Sequence, residues 1–331
     1  MKPVVKLLFV LICSFAMYFS VTKSADASYA VIDAETGRLL SGNNAHAQLP
    51  IASLTKMWTA FVVIENSNLD DEVVISREAA LSEGSSIYLE PGGEKITVET
   101  LLYGLMLRSG NDAAYALAEH TGGSFEGFVD LMNEKATFYG LNNTFFTNPS
   151  GLHHDLHLSS AYDTAMMLKV ALENDTFRKI ATTVNYKSIE KNNVTWQNKH
   201  RLVQEQNGAV AGKTGFTKAA GRTLATYFEK EDKKVIVVTL RESNDWQVHK
   251  QLANYVFSQY DVVTVAKKGN YKTIEDITVT LSKPIKLLLN KQEEDEVKNV
   301  LHFSRNKENK NGIWHVFLNN ENIYSTRVTL K

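Results

Sequence analysis

One stretch of this chain is suited only to the inside of a protein. After Pro50-Ile51-Ala52, a helical pattern starts at Ser53 and runs to about Ile64, with Leu54, Met57, Trp58, Phe61, Val62 and Ile64 all apolar. These positions cover most of the helix circumference. A helix that is apolar nearly all round has no face to offer to water, so the remaining chain must enclose it.

The flanking sequence can supply that enclosure. Tyr29 to Asp33 and Arg38 to Leu40 read as two strands around the turn Glu35-Thr36-Gly37. Residues 66–100 are polar and turn-rich, with Pro91-Gly92-Gly93 as the clearest breaker. Helices follow over about Val98–Leu107, Asp112–Glu119, 124–139 and Ala161–Leu172, and Ser109-Gly110-Asn111 interrupts the first two. From about residue 183 the character changes. Val184–Ile189, Gly208–Gly215, Thr223–Glu229 and Val235–Leu240 read as strands, with Glu231-Asp232-Lys233 as a hairpin turn, and Trp246–Tyr260 returns to helix. Strands, then helices, then strands and a last helix predict an α+β domain over 28–262, its antiparallel sheet closed by both ends of the domain. Residues 263–331 read as a small β domain, with strands at Asp276–Leu281, Ile285–Leu289, Trp314–Leu318 and Ile323–Leu330 and a charged loop at Asn306–Asn311.

Residues 1–27 stand apart. Lys2 and Lys6 precede an apolar run from Leu7 to Val21, and Ala25-Asp26-Ala27 is a small-x-small string. This is the pattern of a secretory signal peptide cleaved after Ala27, with an uncleaved anchor as the competing reading. The single cysteine, Cys13, falls inside it, and Ile12 before it argues against lipid attachment. The remainder then has no disulfide, no thiol nucleophile and no Cys-ligated metal. A net charge of −1 advertises no nucleic-acid partner.

Three short strings carry chemistry: Ser53-Leu54-Thr55-Lys56, Ser109-Gly110-Asn111 and Lys213-Thr214-Gly215. Ser53 and Lys56 lie three apart at a helix start, hence on one face. A serine hydroxyl needs a base to become a nucleophile, and an amine can be that base only when neutral. Burial beside Trp58 and a second cation, Lys213, are two ways to lower the pKa of Lys56. The helix N-terminus at Ser53 also favours a developing oxyanion. Ser109 is placed to relay a proton to the leaving amine, and Asn111 to hold Lys56 or the substrate amide through its carbonyl. Lys213-Thr214-Gly215 reads as an edge strand where a peptide can add, with Lys213 and Thr214 gripping a carboxylate. Each string alone is weak, and the middle one is equally a plain turn. The strings S-x-x-K, Ser-x-Asn and K-T-G in this order mark penicillin-binding proteins and class A β-lactamases.

Over about residues 28–262 the chain resembles the low-molecular-weight penicillin-binding proteins, the serine-type D-alanyl-D-alanine carboxypeptidases of peptidase family S11. The blocks that carry the resemblance are Pro50 to Met57, Ser109 to Ala114, Met132-Asn133, Asn148 to Leu152 and Gly212 to Thr217. The resemblance implies a β-lactamase/DD-peptidase-like fold, with an antiparallel sheet flanked by helices and a helical subdomain. It implies an acyl-enzyme on Ser53, formed as terminal D-alanine leaves a peptidoglycan stem peptide, and an oxyanion hole from the backbone N–H groups of Ser53 and Phe216. It also implies acylation by β-lactam antibiotics, no cofactor, no metal and a place outside the cytoplasmic membrane. Two departures stand out. The family's carboxylate-binding arginine, shortly after the strand ending at Leu240, has no counterpart in Asn244 to Lys250, which leaves Arg241 or Lys250 as substitutes. The chain also ends at Lys331 in strand-like sequence without an amphipathic anchoring helix.

Other readings remain. A class A β-lactamase needs a glutamate followed four residues later by asparagine, and no glutamate between Ser53 and Lys213 has one. A catalytically idle wall-binding protein is the non-enzymatic alternative, against which the intact Ser53, Lys56, Asn111 and Lys213 argue. His153, His154 and His157 with Asp155 read as a polar loop rather than a zinc site, because no second cluster supports them.

Overall fold

The computed structural model describes residues 27–92, 95–273, 277–304 and 310–331. The expected leader with Cys13, together with Gly93, Asp276 and residues 306–309, lies outside them. In chain order the first half forms β1 (Ser28–Asp33), β2 (Leu39–Asn43), a 3-10 turn (Ala52–Leu54), α1 (Thr55–Asn66), β3 (Glu72–Val74), α2 (Arg77–Ala80), β4 (Lys95–Thr97), α3 (Val98–Tyr103), a π turn (Gly104–Arg108), α4 (Asn111–Gly122) and α5 (Phe125–Phe138). There follow α6 (Ala161–Leu172), α7 (Asp175–Thr182), β5 (Asn185–Ser188), β6 (Val194–Gln197), α8 (Arg201–Glu205), β7 (Ala209–Thr217), β8 (Gly221–Lys230), β9 (Lys233–Leu240) and α9 (Asp245–Gln259). The last part holds β10 (Asp261–Ala266), β11 (Gly269–Lys272), β12 (Thr278–Leu281), β13 (Ile285–Leu289), α10 (Lys291–Glu296), β14 (Lys298–Phe303), β15 (Asn311–Leu318) and β16 (Glu321–Leu330).

The main sheet runs β2-β1-β9-β8-β7, and its neighbouring strands are antiparallel. The N-terminal hairpin thus joins the sheet beside β9, and β7 is left as an edge. Both faces of this sheet are covered. Val31, Val235, Val237 and Phe228 meet α9 through Val248, Leu252 and Val256. Ala30, Ile32, Ala225, Tyr227, Ile236 and Val238 belong to the larger core built around α1 and α6. Burial on two faces explains why β1 and β9 read as continuous apolar runs rather than alternating ones.

Helix α1 is enclosed as its composition requires: every residue from Thr55 to Val63 is buried. Trp58 sits fully inside and donates its indole N–H to the Met132 carbonyl on α5, 3.0 Å away. Helix starts are set by side-chain caps at Ser76, Thr97, Ser124, Ser160, Asn174 and His200, each accepting a backbone N–H that the helix cannot satisfy.

The C-terminal part has its own core, centred on Val279, Leu287, Leu289, Trp314 and Val316. Its strands form the sheet β11-β12-β16-β15-β14 and the pair β10-β13. Strand β10 begins at Asp261 and runs across the expected 262/263 boundary, because its register with β13 starts at Asp261 opposite Leu289. The two parts are clasped. Arg38 of the N-terminal hairpin makes two 2.9 Å bonds to Glu293, donates to the Leu288 carbonyl and lies over the Tyr260 ring. Among the described residues no helix is long and apolar enough to cross a membrane.

Candidate active site

The three strings meet in one place. Ser53 stands on the 3-10 turn that leads into α1, and Lys56 is one turn further. Lys56 Nζ is 3.1 Å from Ser53 Oγ and 2.5 Å from the Ser150 carbonyl. Lys213 Nζ, from β7, donates to Ser109 Oγ at 3.0 Å and to the Thr214 carbonyl at 2.8 Å.

Lys56 has no exposed surface. Burial drives its pKa well below the ordinary lysine value, and the nearby cations Lys213 and then Lys199 push it the same way, against a smaller opposing pull from Asp112. Lys213 is also fully enclosed. Burial first, and Lys199 second, bring it down to about 7. The sequence predicts the first two influences on Lys56; Lys199, at the end of the loop after β6, is missing from that expectation.

The backbone around Ser53 is tightly built. Ala52 adopts a left-handed conformation at φ 50°. Gly151, at φ +80°, is pressed so closely on Ala52 that a Cβ there would collide with the Ala52 carbonyl oxygen. On the other side, a Cβ at Gly215 would come within 2.9 Å of the Ser53 nitrogen and inside van der Waals contact of Thr223 Oγ1. Glycine at 215 therefore lets β7 run directly against the serine turn. Thr223 Oγ1 fastens that turn from β8 by donating to the Ile51 carbonyl at 3.0 Å.

Ser109 follows the π turn and takes a left-handed conformation at φ 65°, which presents its hydroxyl to Lys213. Of the two roles expected for Asn111, holding Lys56 or the substrate amide, neither is among its bonds within the chain. Asn111 Nδ2 donates to the Glu83 carbonyl and its backbone N–H to the Ser85 carbonyl, so it fastens the 83–85 loop, while Lys56 bonds to Ser53 and Ser150. Asp112 continues the same task, accepting from the backbone N–H groups of Ile87 and Leu89.

The carbonyl that receives Lys56 belongs to a loop governed by one side chain. Asn148 Oδ1 accepts from the Ser150, Gly151 and Leu152 backbone N–H groups and from Ser150 Oγ, all within 3.1 Å. Asn148-Pro149-Ser150-Gly151 looks like an ordinary loop in the sequence, and only its matching block hints at the site. His157 underpins it. Its Nδ1 accepts from the Thr147 N–H, so its Nε2–H donates to Thr55 Oγ1 at 2.8 Å, which in turn donates to the Ala52 carbonyl. Burial, and after it the proximity of His154, Lys56 and His153, hold its pKa down to about 3. His157 is thus a neutral buttress, whereas His153 faces exposed Asp155 at 3.5 Å.

The two cations proposed as substitutes for the missing arginine have other partners. Lys250 Nζ bonds Glu205 Oε2 on α8 at 2.6 Å, and Arg241 Nη2 donates to the Ala219 carbonyl in the β7–β8 turn.

A family model described as D-alanyl-D-alanine carboxypeptidase, peptidase S11, matches residues 17–244. Over 290 residues the chain is 38% identical to D-alanyl-D-alanine carboxypeptidase DacF of Bacillus subtilis (strain 168), covering 81% of this chain and 73% of that one. It is 34% identical over 260 residues to DacC of Escherichia coli (strain K12), covering 74% and 64%. The crystal structure of D-alanyl-D-alanine carboxypeptidase DacD from Francisella tularensis superposes with a TM-score of 0.70 at 26% identity, over 92% of each chain. Penicillin binding protein 5 from Haemophilus influenzae shares the fold, with a TM-score of 0.77 over 92% of this chain and 95% of that one at 24% identity.

Proposed function

The chain belongs to the D-alanyl-D-alanine carboxypeptidase family, peptidase S11, and on that premise we propose that Ser53 is the nucleophile of a serine carboxypeptidase and Lys56 its base. The substrate in this reading is a peptidoglycan stem pentapeptide on the outer side of the cytoplasmic membrane, with residues 1–27 as the export leader. β-Lactams acylate the same serine.

The observation that carries the proposal is the 3.1 Å contact between Ser53 Oγ and the fully buried amine of Lys56. A neutral amine there accepts the hydroxyl proton as Ser53 Oγ bonds to the carbonyl carbon between the two D-alanines. The oxyanion turns to the backbone N–H groups of Ser53 and Phe216. The C–N bond then breaks as the proton held by Lys56 passes by way of Ser109 to the departing amine, which leaves Lys56 neutral. Water attacks the ester carbonyl as Lys56 takes its proton, and the ester C–O bond breaks as Lys56 returns that proton to Ser53 Oγ, which restores both groups. Thr214 and Gly215 hold the peptide along the open edge of β7. Burial supports this reading, because a dry site strengthens each of these interactions.

The test is D-alanine release from diacetyl-L-lysyl-D-alanyl-D-alanine, run beside mass spectrometry after penicillin treatment. D-Alanine should appear, and the adduct should fall on the peptide containing Ser53. Lys56→Ala should lower acylation by roughly a hundredfold or more, the usual worth of a general base. Rapid cephalosporin turnover without D-alanine release, or an adduct on another residue, overturns the reading.

A further inference from the structure

A carboxypeptidase must recognise the free carboxylate at the end of its substrate, and this inference rests on that reading. We propose that Arg222, on β8, is the residue that binds the substrate's terminal carboxylate.

Strand β7 presents two different faces. Lys213 and Gly215 point to the serine side, towards Ser109 and Ser53. Gly212 faces the opposite side, where a Cβ would strike His200 of α8. By alternation, Thr214 and Phe216 share that second face with Gly212. On β8 the residues of the second face include Thr226, which bonds His249 of α9, and Arg222, which bonds Asp245 at the start of α9. Thr214 pairs with Leu224 and Phe216 with Arg222. Arg222 is therefore the diagonal neighbour of Thr214, about 7–8 Å away between backbones and within the span of an arginine side chain.

The guanidinium is held ready rather than used up. Its Nε and Nη2 donate to the two oxygens of Asp245 at 3.1 and 2.7 Å. Its Cζ lies 5.6 Å from the centre of the Trp246 ring. Asp245 is 2% exposed, but the Arg222 side chain keeps 42% of its surface in water. A guanidinium has five N–H donors, and two are committed, so Nη1 and one N–H of Nη2 remain for an incoming carboxylate. Asp245 fixes the plane of the fork, and a planar fork matches a carboxylate. Lys213 is committed to Ser109 and the Thr214 carbonyl on the serine side, whereas Arg222 keeps surface in water on the face that it shares with Thr214.

The experiment compares diacetyl-L-lysyl-D-alanyl-D-alanine with the same peptide ending in a C-terminal amide. Arg222→Gln should lower kcat/KM on the free acid ten- to a hundredfold, as loss of a charge-assisted contact does, and leave the amide within about threefold of wild type. Arg222→Lys should fall between. The acid-to-amide ratio is measured on one preparation, so a partly folded variant does not distort it. If Arg222 merely anchored α9, Arg222→Gln and Asp245→Asn would slow both peptides alike, and the ratio would stay at the wild-type value. That outcome overturns the assignment of Arg222 while the carboxypeptidase reading stands. A wild-type protein that releases D-alanine or D-alaninamide from neither peptide overturns both.

Discussion

A lysine with no exposed surface cannot keep its charge cheaply, and at Lys56 that cost is turned into basicity. Three amines share the neighbourhood: Lys56, Lys213 and the exposed Lys199. Acylation in the proposed mechanism needs Lys56 neutral, and it needs Lys213 charged so that its N–H donates to Ser109 Oγ and leaves the Ser109 proton for the departing amine. The rate should therefore rise as Lys56 loses its proton and fall again as Lys213 loses its own near pH 7, the two limbs belonging to the pair rather than to either residue. Lys199 lowers both groups. Removing its charge with Lys199→Gln should thus move both limbs of the kcat/KM profile to higher pH. The measurement is the pH dependence of penicillin acylation from pH 5 to 10. Limbs that stay in place would exclude Lys199 from the electrostatics of the site.

The elements around the nucleophile are held by close backbone approaches rather than by mobile side chains. Gly215→Ala would drive a methyl group against the Ser53 nitrogen and Thr223 Oγ1, with backbone on one side and a fastened strand on the other. Strand β7 must then move away from the serine turn. Acylation should drop by roughly a hundredfold, the loss seen when one oxyanion donor is misplaced, while far-ultraviolet circular dichroism stays unchanged. Wild-type acylation in Gly215→Ala would show that the strand does not define the site. These contacts also mark where sequence reasoning ends. The ranges of α5, α6, α9 and the β8–β9 hairpin are legible because periodicity and turn residues act within a few positions. Helix α7 is missing from the sequence expectation although its cap, Asn174, and its buried Phe177, Ile180 and Ala181 carry the signal. Strand β5 lies within the expected Val184–Ile189, but its partner β6 and the pair β3-β4 are too brief for alternation to register. The motifs locate Ser53, Lys56, Ser109 and Lys213, yet the Ser150 carbonyl, the Asn148 hub and the Arg222–Asp245 pair depend on contacts between distant segments. No local pattern encodes a backbone carbonyl's partner.

At the scale of the whole molecule, stability is tied to histidines kept neutral inside it. His157 supports the serine turn, and His200 and His249 form a buried chain through Thr226 to Thr239 between the sheet, α8 and α9. Burial holds His157 at about 3 and His200 at about 4, and it depresses His249 as well. In the unfolded chain each would titrate near 6.5. Between that value and the folded values the unfolded state binds more protons than the native one, so stability must fall as the pH falls. It is fully present above about pH 6.5. Each histidine contributes a slope approaching 1.4 kcal/mol per pH unit, or about 4 for the three together. Above pH 5 ordinary carboxylates remain ionised in both states, so the loss between pH 6.5 and 5 comes from these imidazoles together with the depressed amines Lys56 and Lys213, which act in the same direction. Urea unfolding in that window should show a steep loss of stability. His249→Gln should flatten the slope by up to about 1.4 kcal/mol per pH unit while lowering stability at pH 7.5, because Thr226 and Thr239 lose a partner that bridges them. A slope that His249→Gln leaves unchanged would mean that this imidazole is protonated in the folded protein, which its two short hydroxyl contacts and complete burial argue against.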